Sequence, residues 1–199
     1  MFSFISLKKL NFFCIQKSYS TFLKCNLFYF IHQMKLINTE LIIQLASWNI
    51  YPVLTFLKKN SSSQFNVLID IIVYDMPQNK ERFIIVYNLL SVHFNKRIFI
   101  VTKINELLPL ISINSLFLAS NWIEREIWDL FGVLFLLNND LRRILTAYGF
   151  EFHPLRKDFP LIGFFETIYD DTQKSVVNKT LIGLTQEYRT FKLNFKTNY

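Results

Sequence analysis

Two cysteines, Cys14 and Cys25, are the only thiols in 199 residues, and no CxxC pair exists. An iron–sulfur cluster needs four thiolates and a structural zinc needs four Cys or His ligands. With three histidines spread over positions 32, 93 and 153, the chain cannot readily supply either set. Two cysteines also argue against a disulfide framework, which makes a reducing compartment the default. Glycine is almost as scarce, with four residues. No glycine-rich phosphate loop, GxGxxG, GxSxG or HExxH is present, and Gly149 and Gly163 stand too far apart to cradle a phosphate. Alanine occurs only at Ala46, Ala119 and Ala147, against 22 Phe. Residues with A/T-rich codons are favoured throughout, which weakens propensity arguments without bearing on chemistry.

Charge is also low. Charged residues make up 19% and hydrophobic residues 51%, whereas about a quarter charged is usual for a soluble domain. Burial against other proteins would cover the apolar surface this implies. The charge-free stretches Leu41–Leu57 and Leu107–Ile123 fall short of the roughly 20 apolar residues of a membrane span. Asn49 and Pro52 interrupt the first, and Pro109, Ser112 and Asn114 the second. Both read as buried segments.

The net charge of +7 is unevenly placed: residues 1–60 carry seven Lys and the single acid Glu40, and the remaining 15 basic and 14 acidic residues nearly cancel. A nucleic-acid-binding domain would concentrate its cations in the folded part. That weighs against a basic ribosomal or other nucleic-acid-binding protein of an organelle, the main alternative from another functional class. The segment before Glu40 is basic, Phe- and Ser-rich and lacks Arg. It reads either as a transit-peptide-like leader or as an extension that docks on a neighbour.

The pattern predicts an N-terminal extension (1–35), an α/β core domain (36–163) and an extended C-terminal arm (164–199). The fold class is α/β (α+β), a small mixed sheet with antiparallel neighbours flanked by helices. Leu36–Lys59 has helical spacing broken at Pro52, which predicts one or two short helices. Asn66–Tyr74, Phe83–Leu90 and Arg97–Thr102 are rich in β-branched and aromatic residues and read as strands. The turns between them, Met76–Lys80 and His93–Lys96, are short enough to make the strands antiparallel. Glu106–Phe117 is helical or irregular. A helix then begins at Asn121, whose side chain and Glu124 approximate a capping box. Its apolar stripe is Ile123, Ile127, Leu130 and Phe131, and Gly132 ends it. Arg125 and Asp129 are spaced to pair along it. A second short helix is predicted from Asp140 to Gly149, and Pro154 and Pro160 force an irregular path between them.

The charges that remain are candidate chemistry. His153 with Arg156, Lys157 and Asp158 has the makings of a general base beside an anion clamp. No nucleophile motif accompanies it, so a structural loop is the better reading and an independent hydrolase the poorer one. Glu124, Glu126 and Asp129 are three carboxylates on one helix, but Glu124 and Glu126 point to different faces. Arg142 and Arg143 are adjacent and diverge, so one would face a carboxylate and the other a partner. Trp122 and Trp128 suit interface anchors better than stacking platforms.

Taken in order, Asn121–Phe135 (NWIEREIWDLFGVLF), Asp140–Tyr148 (DLRRILTAY) and His153–Gly163 (HPLRKDFPLIG) resemble the signature of one family. It is the C-type, or subunit 9, core subunit of proton-pumping NADH:ubiquinone oxidoreductase, respiratory complex I. Asp70–Pro77, Arg82–Ser91, Tyr169–Asp171 and Gln186–Phe191 extend the likeness, which covers about residues 60–192. The chain departs from the family at Asn138–Asn139, where His-Pro is usual, and at Phe152, where a Gly is usual. The resemblance implies a structural subunit of the hydrophilic arm without an active site or cofactor of its own. Iron–sulfur clusters, FMN and ubiquinone would belong to partner subunits, chiefly the large hydrogenase-like subunit and the nearby iron–sulfur subunits. No nucleic acid is implied, and membrane association at the matrix side of the mitochondrial inner membrane would be indirect. Glu124, Arg125, Asp129, Arg142, Arg143, His153, Arg156, Lys157 and Asp158 would be structural and interface residues.

Overall fold

A computed structural model describes residues 18–37 and 40–181. Residues 1–17 of the expected extension, Cys14 among them, and the Gln186–Phe191 segment lie outside the described residues. The chain divides into two compact units between His153 and Pro154.

The first unit is built on a five-stranded sheet. Residues 18–27 are helical (α1). β1 (Ile31–Ile37) and β2 (Glu40–Leu45) follow as an antiparallel hairpin. A short 3₁₀ turn at Ser47–Asn49 leads into α2 (Ile50–Lys59). β3 (Val67–Asp75), β4 (Phe83–Ser91) and β5 (Lys96–Ile104) form a meander. The strand order is β1-β2-β5-β4-β3, with β2 parallel to β5 and every other pairing antiparallel. β6 (Leu110–Ile111) and β7 (Phe135–Leu136) make a small parallel pair around α3 (Ser120–Phe131).

The mixed sheet flanked by helices is the fold class expected, and the three strands of the meander stand where the sequence puts them. The helix expected from Leu36 does not form; the chain is strand to Leu45. Alternation decides this: Leu41, Ile43 and Leu45 are buried while Ile42 and Gln44 between them are not, the period of two that a strand requires. Pro52 does not break the helix that follows. It sits in the first turn of α2, where backbone N–H groups have no intrahelical partner to lose. Lys58 and Lys59 occupy the last turn, where cations complement the helix dipole, and Lys58 Nζ donates to the Leu116 carbonyl.

One face of the sheet carries the core. Ile85, Tyr87, Leu89, Ile98 and Ile100 are fully buried there, joined by Leu23 and Leu27 of α1, Val53, Leu54 and Leu57 of α2 and Ile127 of α3. The turn between β3 and β4 is closed by a two-pronged ion pair: Arg82 Nε and Nη2 donate to Asp75 Oδ1 and Oδ2 at 2.7 and 2.9 Å. The opposite face mixes Ile, Val, Tyr and Phe with Asn88 and Gln44 and supplies no member of the core.

In the second unit β8 (Phe165–Asp170) and β9 (Ser175–Thr180) form an antiparallel hairpin. Its turn is set by Asp170, whose Oδ1 accepts from the N–H and the hydroxyl of Thr172 at 2.9 and 2.6 Å. This hairpin is the described part of the arm. Among the described residues no helix is long and apolar enough to cross a membrane.

Candidate functional site

Three charged side chains of α3 point inward: Glu124 and Asp129 are 0% exposed and Arg125 is 6% exposed. Burying a charge is costly unless hydrogen bonds replace its water, so their partners define what this region does.

Glu124 does not close a capping box; α3 starts at Ser120 without a side-chain cap. Instead Glu124 Oε2 accepts from Ser112 Oγ at 2.6 Å and Asn138 Nδ2 at 2.9 Å, and Oε1 accepts from the Ile113 N–H at 2.9 Å. One carboxylate thus ties the segment before α3 to the loop after it. The hydroxyl of Tyr87 lies within the field of this carboxylate. It is buried without a hydrogen-bond partner among the described residues. Burial first, and the Glu124 charge second, push its ionisation well above the usual phenol range.

Arg125 and Asp129 do not pair with each other. Arg125 Nε donates to the Arg142 carbonyl at 3.2 Å, its Nη1 lies 3.9 Å from Asp140 Oδ2, and its guanidinium covers the ring of Trp122 at 5.2 Å. Asp129 Oδ2 accepts three successive backbone N–H groups, Ile144 at 3.1 Å, Leu145 at 2.7 Å and Thr146 at 3.0 Å. Its Oδ1 accepts from Thr146 Oγ1 at 2.7 Å and Arg143 Nη1 at 3.1 Å. Burial works against ionisation here, but the hydroxyl and amide hydrogen bonds of residues 144–146 outweigh it and hold the Asp129 carboxyl at about 2. These bonds explain why the second helix is absent. The amides of residues 144–146 turn to Asp129, and residues 137–149 form an irregular loop.

Arg143 Nη1 also donates to the Phe152 carbonyl at 2.8 Å. His153 donates from Nδ1 to the Asp129 carbonyl at 3.0 Å and sets its ring edge-on to Trp128 at 5.7 Å. It thereby satisfies a carbonyl of the last turn of α3. Gly132 ends the helix as the sequence expects, at φ 75° with its N–H on the Trp128 carbonyl at 3.0 Å. Arg142 is largely exposed and pairs with Asp140 at 3.1 Å. Glu126 is exposed on the outer side of α3. Arg156, Lys157 and Asp158 belong to the second unit.

The arrangement is a set of anchors. Asp129 stays ionised and its oxygens accept five hydrogen bonds, which suits a clamp better than a proton carrier. Sequence reasoning missed Ser112, Asn138 and Thr146 as members. Asn138 alone carried a signal, since it stands where the family has His.

The description "Respiratory-chain NADH dehydrogenase, 30 Kd subunit" belongs to a family model that matches residues 43–165, from β2 into β8. NADH-ubiquinone oxidoreductase subunit 9 of Reclinomonas americana is 52% identical over 152 residues, 76% of this chain and 74% of that protein. The chain belongs to the 30 kDa subunit family of the respiratory-chain NADH dehydrogenase. NADH dehydrogenase (ubiquinone) iron-sulfur protein 3 of Oryza sativa subsp. japonica is 52% identical over 142 residues, 71% of this chain and 74% of that protein. The Arabidopsis thaliana protein of the same name is 51% identical over the same shares. A chain in the structure of the membrane-bound sulfane sulfur reductase, an archaeal respiratory membrane complex, shares the fold. Its TM-score is 0.64 at 20% identity, covering 74% of this chain and 86% of that one.

The matched span holds all the buried charges of α3 and every partner named for them. This complex I subunit therefore keeps its anchors in the part it shares with its family. Nothing in these likenesses supports a nucleic-acid-binding protein. The plant relatives carry "iron-sulfur" in their names, yet the residues here do not fit a cluster. Cys25 is exposed on α1, the chain has one other thiol, and no three His, Cys, Asp or Glu side chains converge among the described residues.

Proposed function

We propose that this complex I subunit is non-catalytic and acts as a scaffold of the hydrophilic arm, needed to assemble the quinone-reducing module. The observation that carries the reading is the double clamp on α3: two fully buried carboxylates each spend their acceptors on fixing neighbouring segments. Beside the charged Glu126, Asp140 and Arg142, the clamped region shows large apolar side chains to solvent. Trp122 is 65% exposed and Leu145 60%, with Leu136, Leu137 and Tyr148 alongside in the same segments. Exposed aromatics beside paired arginines suit a permanent protein interface. The partners are the other complex I subunits, chiefly the large hydrogenase-like subunit and the iron–sulfur subunits near it. Those partners bind FMN, the clusters and ubiquinone. The chain sits peripherally on the matrix side of the mitochondrial inner membrane, held there through the complex and without nucleic acid. His153, Arg156, Lys157 and Asp158 serve the interface.

The test is assembly of the native complex carrying Arg143→Ala or Asp158→Ala. The expected result is loss of the assembled arm on native gels, with quinone reduction falling in proportion to assembly. A variant that assembles fully and yet loses quinone reduction would restore a direct catalytic role.

A further inference from the structure

The sheet has a second face, and the strand register places its side chains. Ile72, Val86 and Val101 form one cross-strand row over β3, β4 and β5. Tyr74 and Ile84 lie on one side of it, and Phe99 and Ile42 on the other. None of these residues is buried; Ile72 is 37% exposed and Tyr74 51%. The helices all pack on the opposite face. With strands about 4.8 Å apart and same-face residues about 6.8 Å apart, the seven apolar residues cover about 230 Å², with Asn88 and Gln44 set among them.

The field has a charged frame. Lys35, Arg97 and Lys103 share this face, and none has an ion-pair partner among the described residues. The carboxylates near them are Glu40 at the hairpin end and Asp70, and Asp70 already accepts the Ile71 N–H at 2.8 Å. Unpaired cations around an apolar centre call for carboxylates around an apolar stripe.

We propose that this face is a docking surface for an amphipathic helix of another complex I subunit, apolar on one stripe and bearing Asp or Glu beside it. The inference rests on the scaffold reading and adds a second interface, remote from the α3 clamp. A helix laid on a sheet is the ordinary way to bury such a face. A second copy of this chain fits less well, because about 230 Å² is well under half of the roughly 800 Å² each partner buries in a standard interface. A membrane surface fits less well too, because that role favours protruding Trp and Phe on a helix, whereas this face is a pleat of Ile and Val.

The experiment uses the native complex, with Cys14 and Cys25 changed to Ser and Val86→Cys introduced. Incorporation is scored first on native gels. A chain that never enters the complex overturns its place as a subunit, whereas the outcomes below bear on the docking surface. In the assembled complex, Cys at position 86 is expected to lose reaction with maleimide and to cross-link to a helical peptide of another subunit. Free labelling, or cross-links to lipid or to this chain's own terminal segments, would overturn the proposal. Lys103→Glu provides a second reading. It is expected to lower the assembled fraction, and changing the cross-linked peptide's nearest carboxylate to Lys is expected to restore it. Assembly indifferent to Lys103→Glu would overturn the charge frame.

Discussion

Asn138 donates its side-chain amide to Glu124 across 2.9 Å, from the position where the resemblance leads one to expect histidine. The bond joins the loop after α3 to the segment before it, because Glu124 also holds Ser112 and the Ile113 N–H. An imidazole N–H donates as an amide N–H does, so a histidine at 138 can supply the same hydrogen bond. Asn138→His is expected to leave thermal stability almost unchanged. Asn138→Leu removes the donor and seats an apolar group against a buried carboxylate. It is expected to cost about 1–3 kcal/mol, measured by urea unfolding.

Asp129 gives the fold an acid-sensitive clamp. Its carboxyl is wholly buried, and the hydrogen bonds from residues 144–146 hold it at about 2, whereas an unfolded Asp titrates at about 3.9. The folded state binds the proton less readily, so the stabilisation is complete above about pH 5 and is lost as pH falls through about 2. Its size is about 2–3 kcal/mol. Unfolding followed between those limits should show this slope, and Asp129→Asn should remove it. A slope unchanged in the variant would place the acid sensitivity elsewhere.

Arg82 and Asp75 are joined by two hydrogen bonds, and the Asp75 side chain is only 2% exposed. Arg82→Ala leaves that carboxylate buried without its main counter-charge. The expected loss is about 3 kcal/mol, read as a lower denaturation midpoint. Asp75→Asn with Arg82→Gln should recover part of it, because the double exchange removes the buried charge and only the exposed Glu106 loses its Arg82 contact.

Gly132 ends α3 with φ 75°, a conformation that costs an L-residue with a Cβ roughly 1–2 kcal/mol. Gly132→Ala should lower the melting temperature accordingly, and Gly132→Asn should lower it less.

Much of this was legible in the sequence, and the misses share a cause. The meander and α3 follow from local pattern: apolar alternation, a helical stripe and a closing glycine. The pairing of Arg125 with Asp129 followed the i,i+4 rule and was wrong. Each side chain found a stronger partner 14 to 17 residues away in the chain. The same long-range hydrogen bonds took residues 144–146 out of the expected helix. β2 was missed because Leu41, Ile42, Ile43 and Leu45 are all apolar, so its alternation shows only once one face is buried. Its pairing with β5, more than fifty residues downstream, lies in no local window.

That parallel pairing, Leu41 with Ile98 through Leu45 with Thr102, also sets an order of events during synthesis. β2 leaves the translating ribosome with one edge unpaired and waits for β5 to follow. At about 5–20 residues per second the interval is about 3–11 s. For that time the nascent chain carries an open strand edge of mostly Ile and Leu, the kind of template on which chains aggregate. A holding chaperone would act on this subunit before the sheet closes, ahead of any encounter with the rest of complex I.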